Sequence, residues 1–369
     1  MRPATRGGPR NHPMTTSLET DSRPGPKYDH DDPLLASPSQ IPVTPPKKID
    51  SLLAPLAKEL ASVETILHQE LSTYRERFPE LMNHLQAYQG KRLRPALLLL
   101  MAHSCGNTLP AHYTLAAVVE MIHTATLIHD DVLDEAVQRR HLPTVHARWG
   151  NKTAILLGDL LFTHAFHLAT TVDQRACRLI GSSTNRVCAG ELLQWAEREH
   201  WQLPEAEYLK IIDDKTAALT ECAAQLGAVY AGGSEEMVQA ACLYGRSLGR
   251  AFQIMDDLLD LIGRESATGK TLGTDLAQGK ATLPIIHAFS QMSRTEAEEF
   301  YQLLRNENGP KERHTRILAV LQRYGSVEYA RRRAEEALHT ARTALQAFAP
   351  SAHRDLLNSL ITWSLQRHS

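Results

Sequence analysis

A chain of 369 residues, 43% hydrophobic and 22% charged with a formal net charge of −2, has the composition of an ordinary globular protein. No basic excess speaks for nucleic acid, so any anion site must come from local clustering of cations. The longest apolar run, Pro95 to Ala102, is too short to span a membrane. The five cysteines, at 105, 177, 188, 222 and 242, lack C-x-x-C spacing and read as free thiols in a reducing, cytoplasmic compartment.

Residues 1–47 hold ten of the nineteen prolines, with scattered Gly, Ser, Thr and Asp. Proline neither continues a helix nor donates to a sheet, so a disordered extension is expected there. Its Arg2, Arg6 and Arg10 are not followed by an apolar stretch of secretory type, and Asp29, Asp31 and Asp32 speak against a transit peptide. Residues 48–369 read as one all-α domain. Leu52, Leu53, Leu56, Leu60, Val63 and Leu67 recur at helical steps. Pro79, Pro110, Pro143, Pro204, Pro284, Pro310 and Pro350 fall at breaks between such segments.

Within this helical chain two runs stand out: Asp130-Asp131-Val132-Leu133-Asp134 and Asp256-Asp257-Leu258-Leu259-Asp260. Each sets carboxylates at i, i+1 and i+4, and positions i and i+4 lie one above the other with i+1 about 100° round. Three carboxylates are expected on one patch. One such patch would be an ordinary helix cap; two, each inside a long apolar segment, call for a cation to relieve their repulsion. Oxygen ligands without cysteine or paired histidine suit Mg²⁺, which keeps positions open for phosphate oxygens. His123 and His129 do not form a zinc pair, because six residues turn the helix by about 600° and send the two rings to different faces.

Cations cluster in four places. Lys91 and Arg94 lie three residues apart; Arg139-Arg140 follows the first acidic run; Lys215-Thr216 follows Asp213-Asp214; Lys270 and Lys280 flank Asp275. Each alone could be a solvated surface. Together they are the positive complement that two diphosphates would need.

These segments carry a resemblance. GKRLRP at 90–95, EMIHTATLIHDDVLDEAVQRR at 120–140, PTVHARWGNKTAILLGDLLF at 143–162, GELLQ at 190–194, DDKTAAL at 213–219 and the stretch 252–284 resemble the trans-isoprenyl diphosphate synthases, or polyprenyl synthases. The resemblance covers the chain from about residue 50 on. It implies an isoprenoid-synthase-type helical bundle around a deep central cavity, usually a homodimer. The implied activity condenses isopentenyl diphosphate with an allylic diphosphate to an all-trans polyprenyl diphosphate. The implied metal ligands, on Mg²⁺, are Asp130, Asp131, Asp134, Asp256, Asp257 and Asp260. Arg139, Lys215, Thr216, Gln253, Lys270 and Lys280 match contacts to the allylic diphosphate, with Lys215 counted among the catalytic groups. Lys91, Arg94, His123 and Arg140 match the pocket for isopentenyl diphosphate. One departure is His141, where the family usually has glycine; a positive φ there would strain a histidine.

The growing tail is expected to run along the helix toward its N-terminus from Asp130, past Ala125 and Thr126, with Ile122, Met121 and Val118 as candidates for a deeper floor. Short-chain relatives carry an aromatic residue in this region, so the small residues here imply a medium to long product, with peripheral membrane contact for its release. A geranylgeranyl-type synthase, a terpene cyclase and a non-catalytic subunit of a heteromer are the rival readings. The intact second run argues against the last two.

Overall fold

The computed structural model describes residues 49–87, 90–263, 273–305 and 309–366. These lie in one compact unit, Pro46–Ser369. The extension 1–47 and Lys270 fall outside the described residues.

The chain is all-α, as its periodicity implies. The helices are α1 Ile49–Leu53, α2 Ala57–Glu70, α3 Ser72–Arg77, α4 Pro79–Ala87, α5 Leu93–Cys105 and α6 Pro110–Leu133. Next come α7 Val145–Trp149, α8 Asn151–Thr170, α9 Gln174–Ala196, α10 Glu205–Ile212, α11 Ala218–Tyr230 and α12 Glu235–Ile262. The set closes with α13 Thr274–Ala277, α14 Leu283–Gln291, α15 Arg294–Arg305, α16 Pro310–Arg323, α17 Ser326–Ala344 and α18 Ala352–Gln366. Pro79, Pro110 and Pro310 each open a helix, where the missing N–H costs nothing. Among the described residues the only strands are β1 Gln138–Arg139 and β2 Leu142–Pro143, a two-residue hairpin.

Helix α5 organises the bundle. Ala96 to Ala102 are fully buried on every side, the pattern of a helix enclosed by others. It packs against α2, α6, α11 and α18. The approach of α11 is closest at Gly227, where a Cβ would come within 2.2 Å of the Leu98 carbonyl oxygen. Two long helices carry the acidic runs at their C-terminal ends: α6, packed on α8, and α12, packed between α11 and α17. Helix α10 runs into α11 through a π-turn, Asp213–Ala217. Helix α8 is long and apolar enough to cross a membrane by composition. Its inner face, including Ala154, Leu157, Leu161 and Ala165, is buried, while Ile155 and Leu156 on the outer face stay exposed.

Candidate active site

The expectation that each acidic run forms one uniform patch needs correction. Asp130 and Asp134 share the mouth of the site. Asp131, about 100° further round α6, is buried and accepts a 2.8 Å hydrogen bond from Arg139 Nε. The second run divides the same way. Asp256 is exposed, whereas Asp257 is buried and accepts from Tyr208 Oη and Gln253 Nε2, both at 2.7 Å. Asp260 serves a third purpose: it accepts from the Thr274 hydroxyl at 2.6 Å and from the backbone N–H of Thr274 and Asp275, fixing the start of α13. The separation has a simple cause: neighbouring residues of a helix face different surroundings, and the inner face here meets partners that hold its carboxylates.

Cations from distant segments join the two runs. Lys280, 146 residues beyond Asp134, donates to both its carboxylate oxygens at 3.2 and 3.4 Å and lies 3.7 Å from Asp275. Gln278 Nε2 donates to the Asp134 carbonyl oxygen. Lys215 pairs with Glu191 and donates to Gln194 Oε1 at 2.8 Å. Burial opposes its charge, but Asp130 and Glu191 raise its pKa. Thr216 donates to Gln253 Oε1 at 2.6 Å, completing a relay from Thr216 through Gln253 to Asp257 and Tyr208.

Carboxylate charge exceeds what these lysines neutralise. Burial, with Glu191 and Asp134 working against Lys215, pushes Asp130 up to about 6. Burial and Asp260 push Asp275 up to about 6. Burial and the neighbouring Asp275 push Asp257 up to about 8. Carboxylates whose ionisation is opposed in this way fit a divalent cation, which would favour their charged form. No set of three or more His, Cys, Asp or Glu side chains already in metal-holding geometry occurs among the described residues.

Beside this mouth lies a positive pocket. Arg94 is half-buried, and its buried Nε lacks a hydrogen-bond partner; desolvation lowers its pKa against the pull of Glu120 and Asp256. His123 is kept neutral by burial and by the charges of Arg94, Arg140, Arg139 and Arg92. The Lys91 ammonium lies 5.3 Å from the centroid of the Trp363 ring on α18. Arg140 lies against the loop of Lys91: a Cβ on Gly90 would come within 2.9 Å of its Nη2. His129 points elsewhere, stacked 6.0 Å from Phe162 and filling the space that a side chain at Gly158 would need.

The polyprenyl synthetase family model matches residues 75–321, more than half of the chain. The octaprenyl diphosphate synthase of Escherichia coli is 35% identical over 87% of this chain and 98% of its own. A short chain isoprenyl diphosphate synthase of Methanothermobacter thermautotrophicus is 35% identical over 77% of this chain and 88% of its own. A crystal structure of polyprenyl synthase from Caulobacter crescentus, complexed with calcium and isoprenyl diphosphate, superposes with a TM-score of 0.81 at 32% identity, covering 88% of this chain and all of that one. The chain belongs to the polyprenyl synthetase family. It is a prenyltransferase with the all-α isoprenoid synthase fold.

In this synthase the residues expected to face the tail lie on two sides of α6. Ala125 and Ile122 are fully buried, Ala125 in an apolar cluster with Ala154, Leu157 and Leu161 of α8. Thr126 is half-buried and its hydroxyl bonds the His123 carbonyl oxygen at 2.8 Å. A pocket of about 510 Å³, counting its open mouth, takes its α6 wall from Met121, one of the expected floor residues, together with Glu120 and Thr124, with Leu67, Met82 and Leu161 opposite. Thr124 lies seven residues, about two turns, before Asp131 and therefore beneath it on the same face.

Tyr208 gave no signal in the sequence, since its partner Asp257 is 49 residues away. Glu191 and Gln194 lie in the GELLQ segment, whose string was visible but whose contact with Lys215 was not. The hairpin answers the question raised by His141. Arg140 and His141 have φ of 52° and 65°, the pair of left-handed residues that a two-residue turn of this hand requires. A left-handed L-residue costs about 1–2 kcal/mol, and the entropy of a glycine offsets about 0.5–1 kcal/mol of the relief. His141→Gly is therefore expected to stabilise the protein by roughly 0.5–1 kcal/mol, read as a higher midpoint in chemical denaturation; a lower midpoint would remove strain as the explanation.

Proposed function

We propose that this synthase condenses isopentenyl diphosphate with an allylic diphosphate, in the presence of Mg²⁺, to an all-trans polyprenyl diphosphate of medium to long chain. The observation that carries this reading is the junction of the two acidic runs: Lys280 holds Asp134 and lies 3.7 Å from Asp275, whose backbone N–H is bound by Asp260. Asp130, Asp134 and Asp256 would hold the metal, and Asp131, Asp257 and Asp260 complete the acidic set from their tethered positions. Bound Mg²⁺ supplies Lewis-acid stabilisation of the departing diphosphate. Lys215, Lys280, Arg139, Lys270 and the Thr216–Gln253 pair bind the allylic diphosphate and take up negative charge as its C–O bond breaks. Lys91, Arg94, His123 and Arg140 orient isopentenyl diphosphate so that its double bond faces the allylic carbon. The proton is then lost to the released diphosphate, and the apolar wall below keeps water from the cation.

Chain length does not follow from identity, since octaprenyl and short-chain relatives are equally similar. The pocket supports the longer product: its α6 wall carries Glu120, Met121 and Thr124 and no aromatic ring. Incubation with Mg²⁺, labelled isopentenyl diphosphate and three allylic primers is expected to yield products longer than four prenyl units. Asp130→Ala should lower turnover at least about a hundredfold, and undiminished turnover would dismiss the metal assignment. Thr124→Phe should shorten the product; an unaltered ladder would show that the tail takes another path.

We further propose a cytoplasmic homodimer. Exposed Ile155 and Leu156 on α8, with Leu192 and Trp195 on the neighbouring α9, make an apolar surface that a second copy would cover. All five cysteines are free, which suits a reducing compartment. Sedimentation should give a dimer for the wild type and a monomer for Leu156→Glu; a dimer in both would move the interface elsewhere.

A further inference from the structure

Asp213 and Asp214 precede Lys215 and look, in sequence, like a third acidic pair. Their carboxylates are instead bound to arginines. Arg250 of α12 grips Asp213 with both arms of its guanidinium, Nε to Oδ1 at 2.8 Å and Nη2 to Oδ2. Arg186 of α9 donates to Asp214 Oδ1 at 2.8 Å, to the Asp213 carbonyl oxygen at 3.4 Å and to Glu221 Oε2 at 2.9 Å. Arg246, one turn before Arg250, closes on both oxygens of Glu221 at 3.1 and 2.6 Å. Three guanidinium groups and three carboxylates thus balance one another, and their charge is not available to a metal.

The backbone they seize is the π-turn Asp213–Ala217, a conformation that persists only where its surroundings over-determine it. The surroundings here are tight on two sides. A Cβ on Gly190 of α9 would come within 2.4 Å of the Lys215 nitrogen, and one on Gly249 of α12 within 2.7 Å of Ala217 Cα. The clamp grips the first two residues of the turn, and the next two are Lys215 and Thr216.

We propose that Arg250 and Arg186, through Asp213 and Asp214, are positioning residues that hold the π-turn so that Lys215 reaches Glu191 and Gln194 and Thr216 reaches Gln253. The clamp touches no reacting atom; it acts through the two groups assigned to the allylic diphosphate. The proposal rests on the prenyl-transfer reading, which turnover by the wild-type enzyme tests separately before any variant is compared.

The experiment compares Arg250→Met, Arg250→Lys and Lys215→Met with the double variant Lys215→Met/Arg250→Met in the full chain. KM is measured separately for the allylic primer and for isopentenyl diphosphate. Arg250→Met is expected to raise the KM for the primer about tenfold and leave that for isopentenyl diphosphate within about twofold. Arg250→Lys keeps the charge but loses the two-armed grip, so an intermediate value is expected. In the Lys215→Met background the Arg250→Met change should cost less than about twofold, since the group it aims is gone. Should Arg250→Met not fold, Arg250→Lys carries the same comparison. An unchanged primer KM, an equal rise for both substrates, or full additivity with Lys215→Met would each overturn the positioning role.

Discussion

Carboxylate charge gathered at the ends of two helices is the constraint on which the rest of this structure depends. Helices α6 and α12 each end in aspartates, where the helix dipole itself favours cations. Such ends are stable only if positive charge is brought to them from elsewhere. Lys215 comes from the π-turn and Lys280 from beyond α13, so the loops and turns of the second half of the chain are fixed in place by what the first half needs. The same excess of negative charge that would resist folding is what makes the mouth receptive to a metal-bound diphosphate.

A division of labour runs through the acidic residues. Asp131 and Asp257 are buried and held by Arg139, Tyr208 and Gln253. Asp260 organises a turn. Asp213 and Asp214 secure the backbone beside Lys215. Two residues of identical chemistry, one position apart, thereby take on different work, because a helix presents them to different neighbours.

Much of this was legible in the sequence. Helical class came from three- and four-residue spacing, a local property. The two acidic runs, the basic segments and the strain at His141 could be named because each is a short contiguous pattern. What could not be read depended on packing between distant segments. Nothing in the neighbourhood of Asp257 announces Tyr208, and nothing near Asp134 announces Lys280. Nor could the sequence tell which residue of α6 meets a cavity: Ala125 packs in the apolar cluster with α8 and Thr124 lines a pocket, because one residue is about 100° on a helix.

The π-turn between α10 and α11 also changes the phase of the chain. In an unbroken α-helix, eight residues turn through about 800°, which would leave Tyr208 and Thr216 about 80° apart. A π-turn absorbs one residue without advancing the helix, so the effective rotation falls to about 700° and the two side chains come within roughly 20° of a common line. That line is the one from which Tyr208 reaches Asp257 and Thr216 reaches Gln253 on successive turns of α12. A one-residue deletion there would smooth the helix and pull these two contacts out of alignment, so the chain is tied to its length at this point more firmly than to its composition.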